Sequence, residues 1–170
     1  LDKLLIKKDG VDILLKLRAI LLGGGPASDK LLDYCIQKKL NIVKTYGMTE
    51  TCSGIVGLWL KTNPDKKHFS GIPFPEVKIK IINDEIYIKG PMIMKGYLNQ
   101  LDSKGYHNSK DLGWLDDKNN LFVEMRRKDL IVTGGENVNP KEVENTIINF
   151  ENVLDCAVIG IKDDKWGQRV

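Results

Sequence analysis

Cysteine is scarce: Cys35, Cys52 and Cys156 are three in number, widely spaced, without a Cys-x-x-Cys pair, and accompanied by only His68 and His107. That argues against a disulfide framework or a zinc site and for a reducing, cytoplasmic setting. Long apolar runs are missing too. The stretch Arg18 to Leu22 before Gly23 is among the longest, whereas a spanning helix needs ~20 apolar residues, so no membrane insertion is expected. Charge of one sign is also lacking, because 26 Lys and Arg against 23 Asp and Glu leave a net +3. This excess is too small to argue for a nucleic-acid or lipid surface. There are no internal repeats and no low-complexity tract.

What is present is ordinary for a globular protein. The chain has 170 residues, 42% apolar and 29% charged, with 16 Gly and 6 Pro. Collagen, a disordered tail and a linker are thereby excluded. The opening segment LDKLLIKKDG mixes charges, has no continuous apolar centre and lacks an initiator Met, so it reads as part of a fragment and not as a secretory signal.

The order of elements is that of a layered α/β unit. Arg18 to Leu22 reads as a buried strand closed by Gly23-Gly24-Gly25-Pro26. Ser28 is placed to cap a helix whose Leu31, Leu32, Cys35 and Ile36 share one face. Asn41 to Thr45 reads as a second strand, entering a loop Tyr46-Gly47-Met48-Thr49-Glu50 by a parallel crossover. From Pro73 the period changes to two: Val77, Ile79 and Ile81 alternate with lysines, and Asn83-Asp84 separates them from Glu85 to Ile88, a hairpin with a two-residue turn. A second hairpin is expected around Asp117 to Asn120. Residues about 75–125 therefore read as antiparallel β. Beyond the charged run Arg126 to Asp129, Leu130 to Thr133 is extended and Gly134-Gly135 turns. Pro140 opens a helix with Val143, Ile147 and Ile148 as its buried face. Cys156, Val158 and Ile161 are extended, and a further strand begins at Trp166 to Val170.

Singly, these loops are weak signals. In order, Tyr46-Gly47-Met48-Thr49-Glu50-Thr51, Gly90 to Gly96-Tyr97-Leu98, Asp111-Leu112-Gly113, Arg126 to Ile131, Gly134 to Pro140 with Glu142-Val143-Glu144, and Trp166-Gly167-Gln168 resemble the adenylate-forming acyl-CoA synthetases. The resemblance covers essentially the whole chain. The wording TETCS, GPMIMKGYL, RRKDLIVTGGENV and DDKWGQ looks most like the o-succinylbenzoate-CoA ligases of bacterial menaquinone synthesis. It implies an α/β fold: a parallel α/β unit, then an antiparallel β subdomain, then the start of a small α+β domain. Residues 1–127 would close a large adenylation domain, divided near residue 72, and residues 128–170 would hold the hinge and a truncated second domain. The family's Gly-rich phosphate loop and late catalytic lysine are absent, so the chain is expected to be a central slice of a longer enzyme, inactive alone.

The implied reaction joins a small carboxylic acid to ATP, releases pyrophosphate and exchanges AMP for the thiol of coenzyme A. It gathers negative charge on phosphorus, which calls for a metal, donors and cations. By resemblance Glu50 is a hard ligand for Mg²⁺ and Thr49 a donor to phosphate, against the alternative of a plain polar loop. Tyr46 would stack on adenine or else pack in the core, and Gly47 would let the backbone pass close to the nucleotide. Gly23, Gly24 and Gly25 would approach adenine and the acyl carboxylate. Asp111 would grip both ribose hydroxyls with Arg126 beside it, a surface salt bridge being the competing reading. Lys128 would be the hinge between domains, and Gly134 and Gly135 would line the path of the coenzyme A thiol, or simply serve as turn glycines.

Two departures stand out. The family commonly has Thr-Gly-Asp where this chain has Ser109-Lys110-Asp111, and Asp or Gly where it has Met125. Lys110 would set a cation beside the ribose site. Cys52 and His107 have no convincing catalytic partner. The readings left open are another acyl-, aryl- or amino-acid-activating enzyme and a non-catalytic nucleotide-binding remnant; the oligomeric state is not readable.

Overall fold

A helix start needs a side-chain acceptor for its first N–H groups, and Ser28 supplies one. In the computed structural model its Oγ accepts the Leu31 N–H at 3.3 Å and caps α3 (Asp29–Gln37). The structure describes all residues except 6, 8, 26, 99, 102–104, 127 and 128. Leu32 and Cys35 of α3 are fully buried, and Leu31 and Ile36 pack against the same core, so the face read from spacing is the inward one. Two short helices, α1 (Asp2–Leu5) and α2 (Gly10–Leu15), precede it, and α2 adds Leu14 to that core.

The chain divides into two compact units, residues 1–109 with 113–123, and residues 110–112 with 124–170. In the first, β1 (Ile20–Leu22) pairs parallel to β2 (Ile42–Met48) with Ile20 opposite Ile42, and α3 connects them. β3 (Ser53–Trp59) returns antiparallel on β2, and β4 (Ile72–Pro73) completes the order β1-β2-β3-β4. Two boundaries differ from expectation. β1 begins at Ile20 and not at Arg18, because the Asn41 side chain donates to the Leu17 carbonyl at 2.8 Å and holds the chain outside the ladder up to that point. β2 runs on to Met48 where a loop was expected from Tyr46, because β3 pairs with it past a register shift at Tyr46/Gly47.

The second sheet has the order β10-β9-β6-β5, from β5 (Lys78–Ile82), β6 (Glu85–Lys89), β9 (His107–Leu115) and β10 (Leu121–Arg126). The β5–β6 turn is the expected pair, with Asn83 at φ 50° and Asp84 at φ 64°, both left-handed as a tight hairpin requires. At the β9–β10 turn one Asp116 oxygen accepts the N–H groups of Lys118 at 2.9 Å and Asn120 at 2.7 Å, while Lys66 pairs with the other at 2.8 Å. The Lys66 ammonium, helped by Asn120, holds the Asp116 carboxyl well below the usual carboxylate range. Ile55, Val56, Ile86, Ile88 and Leu121 form a second fully buried cluster.

In the second unit β11 (Ile131–Thr133) and β12 (Glu136–Val138) make a hairpin across Gly134 and Gly135, at φ 58° and 88°. β13 (Ile161–Asp163) and β14 (Gly167–Arg169) extend it to the order β12-β11-β14-β13. Asn139 caps α4 (Pro140–Ile147) by accepting the Lys141 N–H at 2.9 Å. The expected buried face of α4 is corrected: Val143 and Ile147 are half-buried, Ile148 is exposed and no residue of the helix is buried.

Candidate functional site

β1 and β2 are parallel, so the segments leaving their carboxyl ends, Gly23 to Gly25 and Thr49-Glu50, emerge at the same end of the sheet. In open α/β sheets that end is where ligands bind. After β2 the chain makes one 3₁₀ turn, Thr49–Thr51. Thr51, 2% exposed, pins it: its Oγ1 accepts the Met48 N–H at 3.0 Å and donates to the Ser53 carbonyl at 2.8 Å. The turn leaves Thr49 exposed and Glu50 half-buried. The Glu50 carbonyl accepts the Met94 N–H at 2.8 Å and its Oε1 accepts the Tyr97 hydroxyl at 2.5 Å.

The glycines around this end differ in what they do. A Cβ on Gly47 would lie 1.9 Å from the Ser53 carbonyl oxygen, so glycine is required there by the approach of β3. A Cβ on Gly23 would meet the Thr45 methyl at 2.7 Å, whereas Gly24, at φ 87°, and Gly25 face open space. Thr45 Oγ1 itself is buried without a hydrogen-bond partner among the described residues. The Tyr46 ring packs against the second core, so its core role is realised. Nearby in sequence, burial pushes the Lys44 ammonium down to about 8, the Asp29 carboxylate opposing, and its Nζ donates to the Lys67 carbonyl.

In the second unit, Asp111 and Arg126 form an ion pair, Nε to Oδ1 at 3.1 Å, with the carboxylate 8% and the guanidinium 52% exposed. The pair is thus asymmetric, a buried acceptor with a half-exposed donor. Lys110 sits at φ 63°, the left-handed backbone that glycine adopts without strain. Its departure from the family pattern therefore carries a backbone penalty as well as a charge. A Cβ on Gly134 would press on the Trp166 ring at 2.8 Å, while one on Gly135 would meet nothing. Lys128 lies outside the described residues. The site residues of the two units thus form two groups, one around Thr49-Glu50 and one around Asp111-Arg126.

Sequence reasoning missed Thr51, Tyr97 and Thr45. Thr51 and Tyr97 stood inside quoted motifs, but a side chain that holds another in place has no spacing of its own to give it away. Thr45 lies one residue outside its motif.

The turn offers a carboxylate, a hard oxygen of the kind Mg²⁺ takes, and a hydroxyl able to donate to a phosphate oxygen. Among the described residues no three His, Cys, Asp or Glu side chains gather as a cage. Magnesium is commonly held by one or two carboxylates together with substrate phosphates and water. Among the same residues no helix is long and apolar enough to cross a membrane.

The model of the family described as AMP-binding enzyme matches residues 3–98. The 2-succinylbenzoate–CoA ligase of Listeria monocytogenes is 45% identical over 157 residues, 88% of this chain and 34% of that protein. A solved structure of Bacillus subtilis o-succinylbenzoate CoA synthetase with its acyl-adenylate intermediate superposes with a TM-score of 0.83 at 38% identity, covering 95% of this chain and 38% of that one. The same enzyme with ATP and magnesium ion gives 0.79 at 36% identity, over 94% and 38%. The fold is that of these adenylate-forming enzymes, and the chain spans about a third of the length of the curated relatives it matches.

Proposed function

The chain belongs to the AMP-binding enzyme family, and on that premise we propose that it is part of an acid–CoA ligase whose acid is o-succinylbenzoate. Such an enzyme activates the carboxylate as an acyl-adenylate and passes the acyl group to coenzyme A. The observation that carries the reading is the pair of segments leaving the carboxyl ends of β1 and β2. One is a glycine run open on its outer side, the other a turn locked by a buried threonine and presenting Thr49 and Glu50. The likeness to o-succinylbenzoate enzymes supports the choice of acid.

In this reading Glu50 holds Mg²⁺ and Thr49 donates to a phosphate oxygen. A bound magnesium supplies charge neutralisation on the phosphates. Gly24 and Gly25 let the nucleotide and the acid lie against backbone. Tyr46, anchored on the core, offers a ring for adenine. Asp111 accepts from the ribose hydroxyls, and its pairing with Arg126 fixes the orientation of the buried carboxylate. Lys128 remains the proposed hinge at the start of residues 128–170, and Gly134-Gly135 the proposed wall of the thiol's path.

The test is coenzyme A thioester formation by the full protein that carries this chain, across a panel of aryl, fatty and amino acids with ATP and Mg²⁺. O-succinylbenzoate should be the best substrate. Preference for a fatty or amino acid would move the protein to another branch of the family, and no thioester from any acid would overturn the proposal.

A further inference from the structure

Glu50 is held at two points by a single segment. The Met94 N–H reaches its carbonyl at 2.8 Å, and the Tyr97 hydroxyl reaches its carboxylate at 2.5 Å. Both donors belong to Gly90–Tyr97, which leaves the end of β6 and closes in β7 (Gly96–Tyr97), paired with β8 (Gln100–Leu101). Met92 and Ile93 in its middle pack against the second core. Gly96 has φ 133°, a backbone that side-chain-bearing residues rarely adopt, and this sets the direction in which Tyr97 leaves the chain.

Tyr97 is 56% exposed, so apolar burial contributes little to its position. Its hydroxyl lies 2.5 Å from the Glu50 carboxylate, a polar contact that holds the outer end of the side chain. A hydroxyl donating to an ionised oxygen is among the stronger hydrogen bonds, and it restricts the torsions of the Glu50 side chain. Carboxylates that ligate metals are commonly oriented by such outer partners, whose removal weakens metal binding without touching the metal.

We propose that Tyr97 is a positioning residue for adenylation, its phenol holding the Glu50 carboxylate in the orientation that receives the divalent cation on the nucleotide's phosphates. The segment Gly90–Tyr97 is then a strap between the second core and the metal-holding turn. This rests on the reading of Glu50 as the metal-holding carboxylate.

The experiment uses the full protein with ATP, acid omitted, and Mn²⁺ as the paramagnetic probe, so that binding is read without turnover. Tyr97→Phe should weaken Mn²⁺ binding by about 10-fold, the size usual for outer-sphere partners. ATP binding without metal and the melting temperature should stay as in the parent. In activity assays the Mg²⁺ midpoint of adenylation should rise by a similar factor with the maximal rate regained at saturating metal, and thioester formation from preformed acyl-adenylate should not change. Unchanged Mn²⁺ affinity in Tyr97→Phe, with Glu50→Gln weakened, overturns the strap alone. Intact Mn²⁺ binding in Glu50→Gln overturns the reading of Glu50 and the strap together. An equal fall in metal-free ATP binding would show a general packing role for Tyr97 and also overturn the proposal.

Discussion

Helix α3 in the first unit and helix α4 in the second carry equally plain apolar stripes, yet α3 buries Leu32 and Cys35 completely while α4 buries nothing. The contrast extends to the units themselves. Apart from Leu112 and Ile131, every buried apolar side chain described falls in the first unit, whereas Phe150, Leu154, Ile159 and Ile161 of the second are 61–97% exposed. Periodicity fixes which face of a helix is apolar; what lies opposite decides whether that face is buried. For function, the difference means that Thr49 and Glu50 stand on elements pinned by two cores, while Gly134-Gly135 stand on a lightly packed hairpin. Metal and phosphate need groups held in place before the ligand arrives, and segments that move are drawn from the weakly packed end of a structure.

Core truncation separates the units most strongly. Ile86→Ala or Leu32→Ala should cost about 2–5 kcal/mol in chemical denaturation, and Leu154→Ala or Ile161→Ala should stay within about 0.5 kcal/mol. Equal losses would break the contrast. Glycine replacements come next. Gly47→Ala drives a Cβ to 1.9 Å from the Ser53 carbonyl and should cost about 3 kcal/mol or somewhat less, as overpacking does. Gly135→Ala meets no atom and should show only the left-handed backbone penalty of about 1–2 kcal/mol. If Gly135→Ala proved the worse, the hairpin would be more tightly constrained than its packing indicates. In the opposite direction, Lys110→Gly should stabilise the protein by up to about 1 kcal/mol by relieving its φ of 63°. A loss on that change would show that the lysine makes a contact worth more than the strain.

The legible parts of the molecule were those in which a local rule and the tertiary structure agree. Ser28 as a cap, Asn83-Asp84 and Gly134-Gly135 as turns, and Leu31 to Ile36 as a buried face all follow from side chains a few residues apart. β3 and the end of β2 were not legible, because their pairing is fixed across a register shift between strands and not within either. Among the site residues, Glu50 and Asp111 were found through motif order; the bonds that orient them, from Tyr97 and Arg126, span 47 and 15 positions, and the former left no local trace.

pH offers the smallest and most selective contrast. Asp116 in the first unit, held down chiefly by Lys66, and Asp163 and Glu144 in the second, held down chiefly by the Trp166 N–H and by Lys141, all have lowered values. Their stabilisation is complete above the unfolded carboxylate range near 4 and fades as pH falls through and below it, so acid weakens both units. Lys44 acts on one unit only. With its folded value about 8 and its unfolded value about 10.4, the unfolded chain binds the extra proton between these limits, and stability rises with pH across that window. Amide exchange followed from pH 8 upward, corrected for intrinsic rates, should show the gain at β2 and not at β11, and Lys44→Met should abolish it.

The central claim is that the turn after β2 carries the adenylation half of a ligase reaction. The direct measurement is Glu50→Gln in the full protein, comparing ATP–pyrophosphate exchange with thioester formation from preformed acyl-adenylate. Exchange should fall by about 100-fold, the size usual for losing one group that stabilises transition-state charge, and recover in part as Mg²⁺ is raised, while thioester formation from the adenylate persists. Unchanged exchange at limiting Mg²⁺, or parallel loss of both half-reactions, would contradict it.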